Sequence, residues 1–162
     1  MGSVRPSMDF LTGADVMDFT RNPEEFPVYI SKIKRDWTYA SSNFLGLVEH
    51  WQELSKTYLA DLADVKLAQE ANSIEGKVLD KNFSIELILL ALEQVGYAEA
   101  VLLTHQIGGG KVEIGRFLIH RDGNILDVDG SILIDAGDRF YSYKIFTSVL
   151  HSVMEAPATV KS

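Results

Sequence analysis

The chain has 162 residues, of which 46% are hydrophobic and 23% charged, the make-up of one folded domain rather than a disordered segment. It has no cysteine, which excludes disulfides, thiolate metal sites and a cysteine nucleophile. Fifteen basic residues against 23 acidic ones give a net charge of −8, which argues against a phosphate-binding surface and so against direct nucleic-acid contact. No apolar run reaches the ~18 residues of a membrane span, and residues 1–7 lack the apolar stretch of a signal peptide. Together these features predict a single cytoplasmic domain over 1–162 that makes no membrane contact.

In chain order, Pro6-Ser7 before Met8, Phe10 and Leu11 predicts a short helix, and Thr12-Gly13 offers a second start ahead of 14–19. Asn22-Pro23-Glu24-Glu25 is a stronger start. The Asn22 side chain can accept first-turn amides, Pro23 has no N–H to leave over, and two acids meet the positive pole. This predicts a helix to about Trp37, with Lys32, Lys34 and Arg35 near its negative end. Ser41-Ser42-Asn43 reads as the next cap. Phe44, Val48, Trp51, Leu54, Tyr58, Leu62 and Val65 then recur every three or four residues, predicting one helix over 43–71. That is long for a globular domain. It either breaks near 55–57 or extends to meet a partner, a second copy included.

Asn72-Ser73 closes this helix, and 76–82 reads as a connector or short strand (Lys77-Val78-Leu79). Ser84 then caps a helix over 85–95 with Gly96 just past its end, and its almost wholly apolar residues predict a central buried helix. From Ala98 the period changes to two. Strands are expected over 98–106, 111–120, 125–128 and 131–134, joined by turns at Gly108-Gly109-Gly110, Asp122-Gly123 and Asp129-Gly130. A last helix over 143–154 turns Ile145, Phe146, Val149, Leu150 and Val153 inward, and 156–162 is a tail. The expected fold is α+β: a helical N-terminal half (7–72), then a central buried helix and a four-stranded antiparallel meander closed by a C-terminal helix (77–155).

Several motifs resolve into turn chemistry. Gly108-Gly109-Gly110-Lys111 is no phosphate loop, because Lys111 opens a strand instead of a helix. A calcium loop starting at Asp127 would need glycine where Ile132 stands and a bidentate glutamate where Asp138 stands. His50, His105, His120 and His151 contain no helical i, i+4 pair. With Gly109 at the hairpin centre, His105 should oppose roughly Glu113 and His120 roughly Ala98, several rungs apart. Lys32, Lys34 and Arg35 with Trp37 and Tyr39 read as a solvated helix face, and Phe140-Tyr141-Ser142-Tyr143 as core and rim. No metal and no cofactor is expected.

One arrangement suggests a family. Asn82-Phe83-Ser84 at a helix start is followed by a meander that contains Gly115-Arg116-Phe117-Leu118-Ile119-His120-Arg121-Asp122-Gly123-Asn124-Ile125-Leu126-Asp127. This order resembles the papain-like cysteine-hydrolase superfamily, where a cysteine opens the central helix, a histidine begins a strand and an acid lies on the next. The resemblance places the cysteine at Ser84 (or Asn82), the histidine at Arg116 and the acid at Asp127, and only the acid matches. A serine without a base is a weak nucleophile and arginine does not deprotonate, so His120 would have to serve as a displaced base.

The leading functional expectation is a non-enzymatic acidic protein-binding module of inhibitor, immunity or accessory type. It would meet a basic partner through the exposed face of 44–70 and through Asp122, Asp127, Asp129 and Asp138. The alternatives are a hydrolase, working or decayed, with Ser84, Arg116, His120 and Asp127 as its site, and a self-assembling structural protein paired through the 43–71 helix.

Overall fold

A computed structural model describes residues 16–70 and 72–158. The helix expected from Met8 lies largely outside them, and 16–20 carry no regular structure. Asn22 caps as anticipated, its side-chain oxygen accepting the Glu24 amide at 3.0 Å over a short 3₁₀ turn at Pro23–Glu25. Helix α1 (Phe26–Leu45) then runs on past Trp37 and through the supposed cap at Ser41-Ser42-Asn43. Ser41 Oγ donates back to the Trp37 carbonyl at 2.7 Å, so its hydroxyl is used inside the helix.

No helix spans 43–71. Gly46 separates α1 from α2 (Leu47–Tyr58), and Ala60 and Asp61, both at positive φ, turn the chain into strand β1 (Ala63–Leu67). The face expected over 44–70 is therefore divided among three elements, and pairing of two copies along one long helix has no such element to use.

The central helix is also absent: residues from Ser84 onward belong to a strand. Strands β2 (Ser73–Val78), β3 (Lys81–Leu92), β4 (Val95–His105), β5 (Lys111–Ile119), β6 (Ile125–Leu126) and β7 (Ile132–Ile134) complete a seven-stranded antiparallel sheet. Each strand pairs with its chain neighbour, in the order β1 to β7. A mixed helix-and-sheet fold was expected, but with four strands. The run from Ile85 to Leu92 misleads because an uninterrupted apolar stretch suits a buried strand as well as a helix. Here Phe83, Ile85 and Leu87 point to the helices while Ser84, Glu86 and Ile88 point away.

Helix α3 (Tyr141–Glu155) closes the fold, and its Ile145, Phe146, Val149, Leu150 and Val153 are all buried as expected. All three helices pack on one face of the sheet. At their junction the Trp51 ring stacks on Phe146 (5.2 Å, 11°) and meets the edge of Phe44, while its indole N–H donates to the Ser142 carbonyl at 3.2 Å. Gly76 lies beneath the Phe83 ring, which fills the space a Cβ would occupy.

A buried carboxylate fastens α1 to the sheet. Asp36 is 0% exposed; its Oδ2 accepts from Lys32 Nζ (2.8 Å) and the Gly96 amide (3.0 Å), and its Oδ1 from Arg121 (2.9 Å). A Cβ on Gly96 would stand 2.9 Å from the Ile33 carbonyl, so only glycine lets the helix lie this close. At the start of α3, Tyr141 Oη donates to the Gly123 carbonyl at 2.5 Å. Burial, reinforced by the charge of Asp122, pushes this phenol up to about 12. Tyr141→Phe leaves that carbonyl without its donor and should cost about 1–2 kcal/mol, read as a lowered urea midpoint with unchanged slope. Among the described residues no helix is long and apolar enough to cross a membrane.

Candidate functional site

Of the residues singled out around Ser84, Ser84 and Arg116 lie on the sheet face that the helices leave open, while His120 and Asp127 lie in the turns after their strands. Ser84 is 2% exposed, pairs with Glu75 and Leu103, and has one polar contact, Lys111 Nζ at 3.5 Å. Leu103 in turn opposes Glu113, so Arg116 sits two strands away and further along, about 12 Å by strand geometry. Arg116 is held at that position by Glu113 and by Glu99 Oε2 (2.8 Å), and its pKa is raised, first by the Glu113 bond. His120 Nδ1 lies 2.8 Å from Asp122 Oδ1, with its ring edge-on to Tyr97. Asp127 accepts its neighbour's amide, Val128 N, at 2.7 Å. The structure does not bring these four side chains together.

Ser84 floors a hollow of about 440 Å³ that also has Lys66, Lys77, Asn82, His105 and Lys111 on its walls. The charges there answer one another: Lys66 lies 3.9 Å from Glu75, Lys111 lies 3.7 Å from Glu86, and Lys77 opposes Asp64. Such cross-strand pairs are an ordinary way to solvate an open sheet face. His105 pairs with Lys111 rather than with Glu113, because the hairpin is centred on Gly108 and not on Gly109; further from the turn the β4–β5 register shifts by one residue at Leu102/Leu103. That shift makes Ile114 the extra residue of a bulge.

A different constellation lies on the helix side, at the far edge of the sheet. A groove of about 340 Å³ runs between α3 and strands β5 to β7, walled by Leu102, Phe117, Ile125, Ile134, Ile145 and Val149. Gly115 lies in it, and Arg116, Leu133, Ser148 and Ser152 line it as well. Beside it β7 is, among the described residues, an edge strand bonded only to β6, and it presents Ile132 (57% exposed) and Leu133 (56%) to solvent.

The two sheet edges are treated differently. On β1, Gln52 Nε2 donates to the outward Val65 carbonyl at 2.8 Å and Ser55 Oγ to that of Ala63, so α2 covers the edge. Among the described residues no side chain does this for Ile132, Leu133 or Ile134. An uncovered strand edge is a template for another strand.

The acids marked out in the sequence frame this edge. Asp129 accepts from the Ser131 hydroxyl (2.7 Å) and amide (2.9 Å), which hold its carboxyl below the usual range. Asp138 is held low by Lys144 (2.6 Å) and by the Phe140 amide (2.8 Å). Burial alone would raise Asp122, but the Asn124 amide (2.9 Å) and His120 outweigh it and keep it low. Asp127 and Asp135 accept local amides too. These bonds shape the turns at either end of β7. Sequence reasoning found the acids as turn residues; it missed Gly115, Ile132, Leu133 and the α3 wall.

No family model matches this chain, and neither a curated protein nor a solved structure matches it.

Proposed function

We propose that this chain is a protein-binding module that takes an extended segment of a partner along the free edge of β7, with side chains seated in the groove beside α3. The observation that carries this reading is the contrast between the two edges: β1 is covered by α2 side chains, while among the described residues β7 is open, apolar and next to a groove. Strand addition draws affinity from main-chain bonds and specificity from pockets for alternate side chains. The chemistry of the segment follows from its surroundings. Apolar residues meet Leu133 and the groove wall, and basic residues at either end meet Asp127 and Asp129 on one side and Asp135 on the other.

Selection from a displayed library of random peptides tests this. The wild-type chain should enrich segments that alternate apolar residues and end in lysine or arginine. A synthetic copy of the enriched segment should shift the backbone amides of 132–134 and lose affinity as salt rises. Leu133→Lys, a change on an exposed edge, should weaken it roughly tenfold or more, the worth of burying one large apolar side chain. No enrichment, shifts confined to other elements, or salt-independent binding by unflanked segments would each count against the corresponding part of the reading.

A further inference from the structure

Gly115 stands inside β5, where glycine costs roughly 0.5–1 kcal/mol relative to alanine. Two of the usual reasons for a glycine do not apply. Its φ is not positive, unlike that of Gly108, Gly123 or Gly130, so the bulge beside it is not of the left-handed glycine kind. A Cβ built on it would meet nothing within 4 Å, unlike Gly76 or Gly96, where a ring or a helix occupies the space.

Gly115 opposes the buried Leu102, so the missing side chain would point to the helix face, into the floor of the groove. Gly115 is half-buried and the groove is open to solvent along one side, so the apolar side chains that line it lack the contacts a filled groove would give them. Water does not suit it. The walls there are Leu102, Phe117, Ile145 and Val149, a water needs two to four polar partners, and the exposed Ser148 and Ser152 are one turn apart along α3. Arg116 also lines the groove, but its guanidinium is tied to Glu99 and Glu113 on the opposite face.

We infer that the void at Gly115 is a receptacle for one large apolar side chain, aromatic or leucine-sized, of the segment bound along β7. The inference rests on the docking reading above. The room is sufficient: about 150 Å³ of apolar cavity holds a benzene ring in other proteins, and this groove offers about 340 Å³ in all. Glycine is then the residue that keeps the receptacle open, because any side chain at 115 would enter it.

Two measurements on the full chain test it. In the first, toluene is titrated while the methyl signals of Ile145 and Val149 are followed by NMR; saturable shifts are expected, and their absence would mean there is no receptacle. In the second, peptides selected on the wild type are measured against Gly115→Ala and Gly115→Val. Graded losses are expected, partial for alanine and roughly tenfold or more for valine, together with loss of the toluene shifts and a folded chain of equal or higher stability. If valine does not fold, the alanine variant alone decides, by whether it weakens peptide and toluene together. Should both variants bind peptide like the wild type while Leu133→Lys does not, the receptacle is refuted and the edge reading stands. Should toluene bind with no peptide ever selected, the occupant is a free apolar molecule, and both the side-chain assignment and the docking reading are overturned.

Discussion

Replacing Trp51 by alanine is expected to cost about 4 kcal/mol, a large share of the stability of any single domain. The indole, on α2, is 0% exposed and touches both other helices: it is stacked on Phe146 of α3, meets Phe44 of α1 edge-on and bonds the Ser142 carbonyl. Alanine would open a cavity between packed helices and leave that carbonyl without its donor. Trp51→Phe should cost far less, since it keeps most of the area and loses mainly the hydrogen bond, about 1 kcal/mol. Urea unfolding followed by circular dichroism measures both; equal losses for the two variants would show that the bond, not the ring, is what matters.

Asp36→Ala should be the second most damaging change, at about 3 kcal/mol. Truncating one partner of a buried pair costs about 3–5 kcal/mol, and the lower end applies because Lys32 and Arg121 are each 41% exposed. The variant leaves the Gly96 amide buried with no acceptor at the point where α1 meets the β3–β4 turn. Acid should act the same way. Burial raises the Asp36 pKa, but the Gly96 amide, Lys32 and Arg121 together outweigh it and hold the carboxyl below the ordinary 3.8. A folded-state pKa below the unfolded one means that the stabilisation is complete above the unfolded value and is lost as pH falls through the folded one. Wild type should therefore lose stability more steeply than Asp36→Ala as pH drops below 3.8; parallel acid limbs would contradict the assignment.

Where sequence reading succeeded, the residue itself dictated the backbone. Gly108-Gly109-Gly110, Gly123 and Gly130 all take positive φ at the expected hairpin turns, Asn22 caps its turn, and the α3 stripe is buried as its spacing predicts. The failures have a shared cause. Leu79-Asp80 and Glu93-Gln94 are two-residue hairpin turns, bracketed by the pairs Val78–Lys81 and Leu92–Val95, and all four residues sit at positive φ. Such turns usually announce themselves through glycine or asparagine. Neither is present here, so the strands on both sides read as helix and connector. The sheet imposes a conformation that these residues would not choose alone, at about 1 kcal/mol each. The candidate site was legible only at its rim, where the acids mark turns. Its floor is a glycine beside a bulge, and its wall arrives some 30 residues later in α3, a juxtaposition that no local pattern encodes.

The strictly sequential strand order also governs when the site can come into being. Every strand closes onto the one made just before it, so the sheet can grow hairpin by hairpin, with short loops to close and little demand for distant contacts. The groove is the exception, because β7 and its free edge are complete before α3 has been synthesised. Until that helix docks there is an exposed strand edge but no groove beside it. On the docking reading proposed above, selectivity would therefore have to wait for α3, and a chain cut short of that helix would present the β7 edge without the groove beside it.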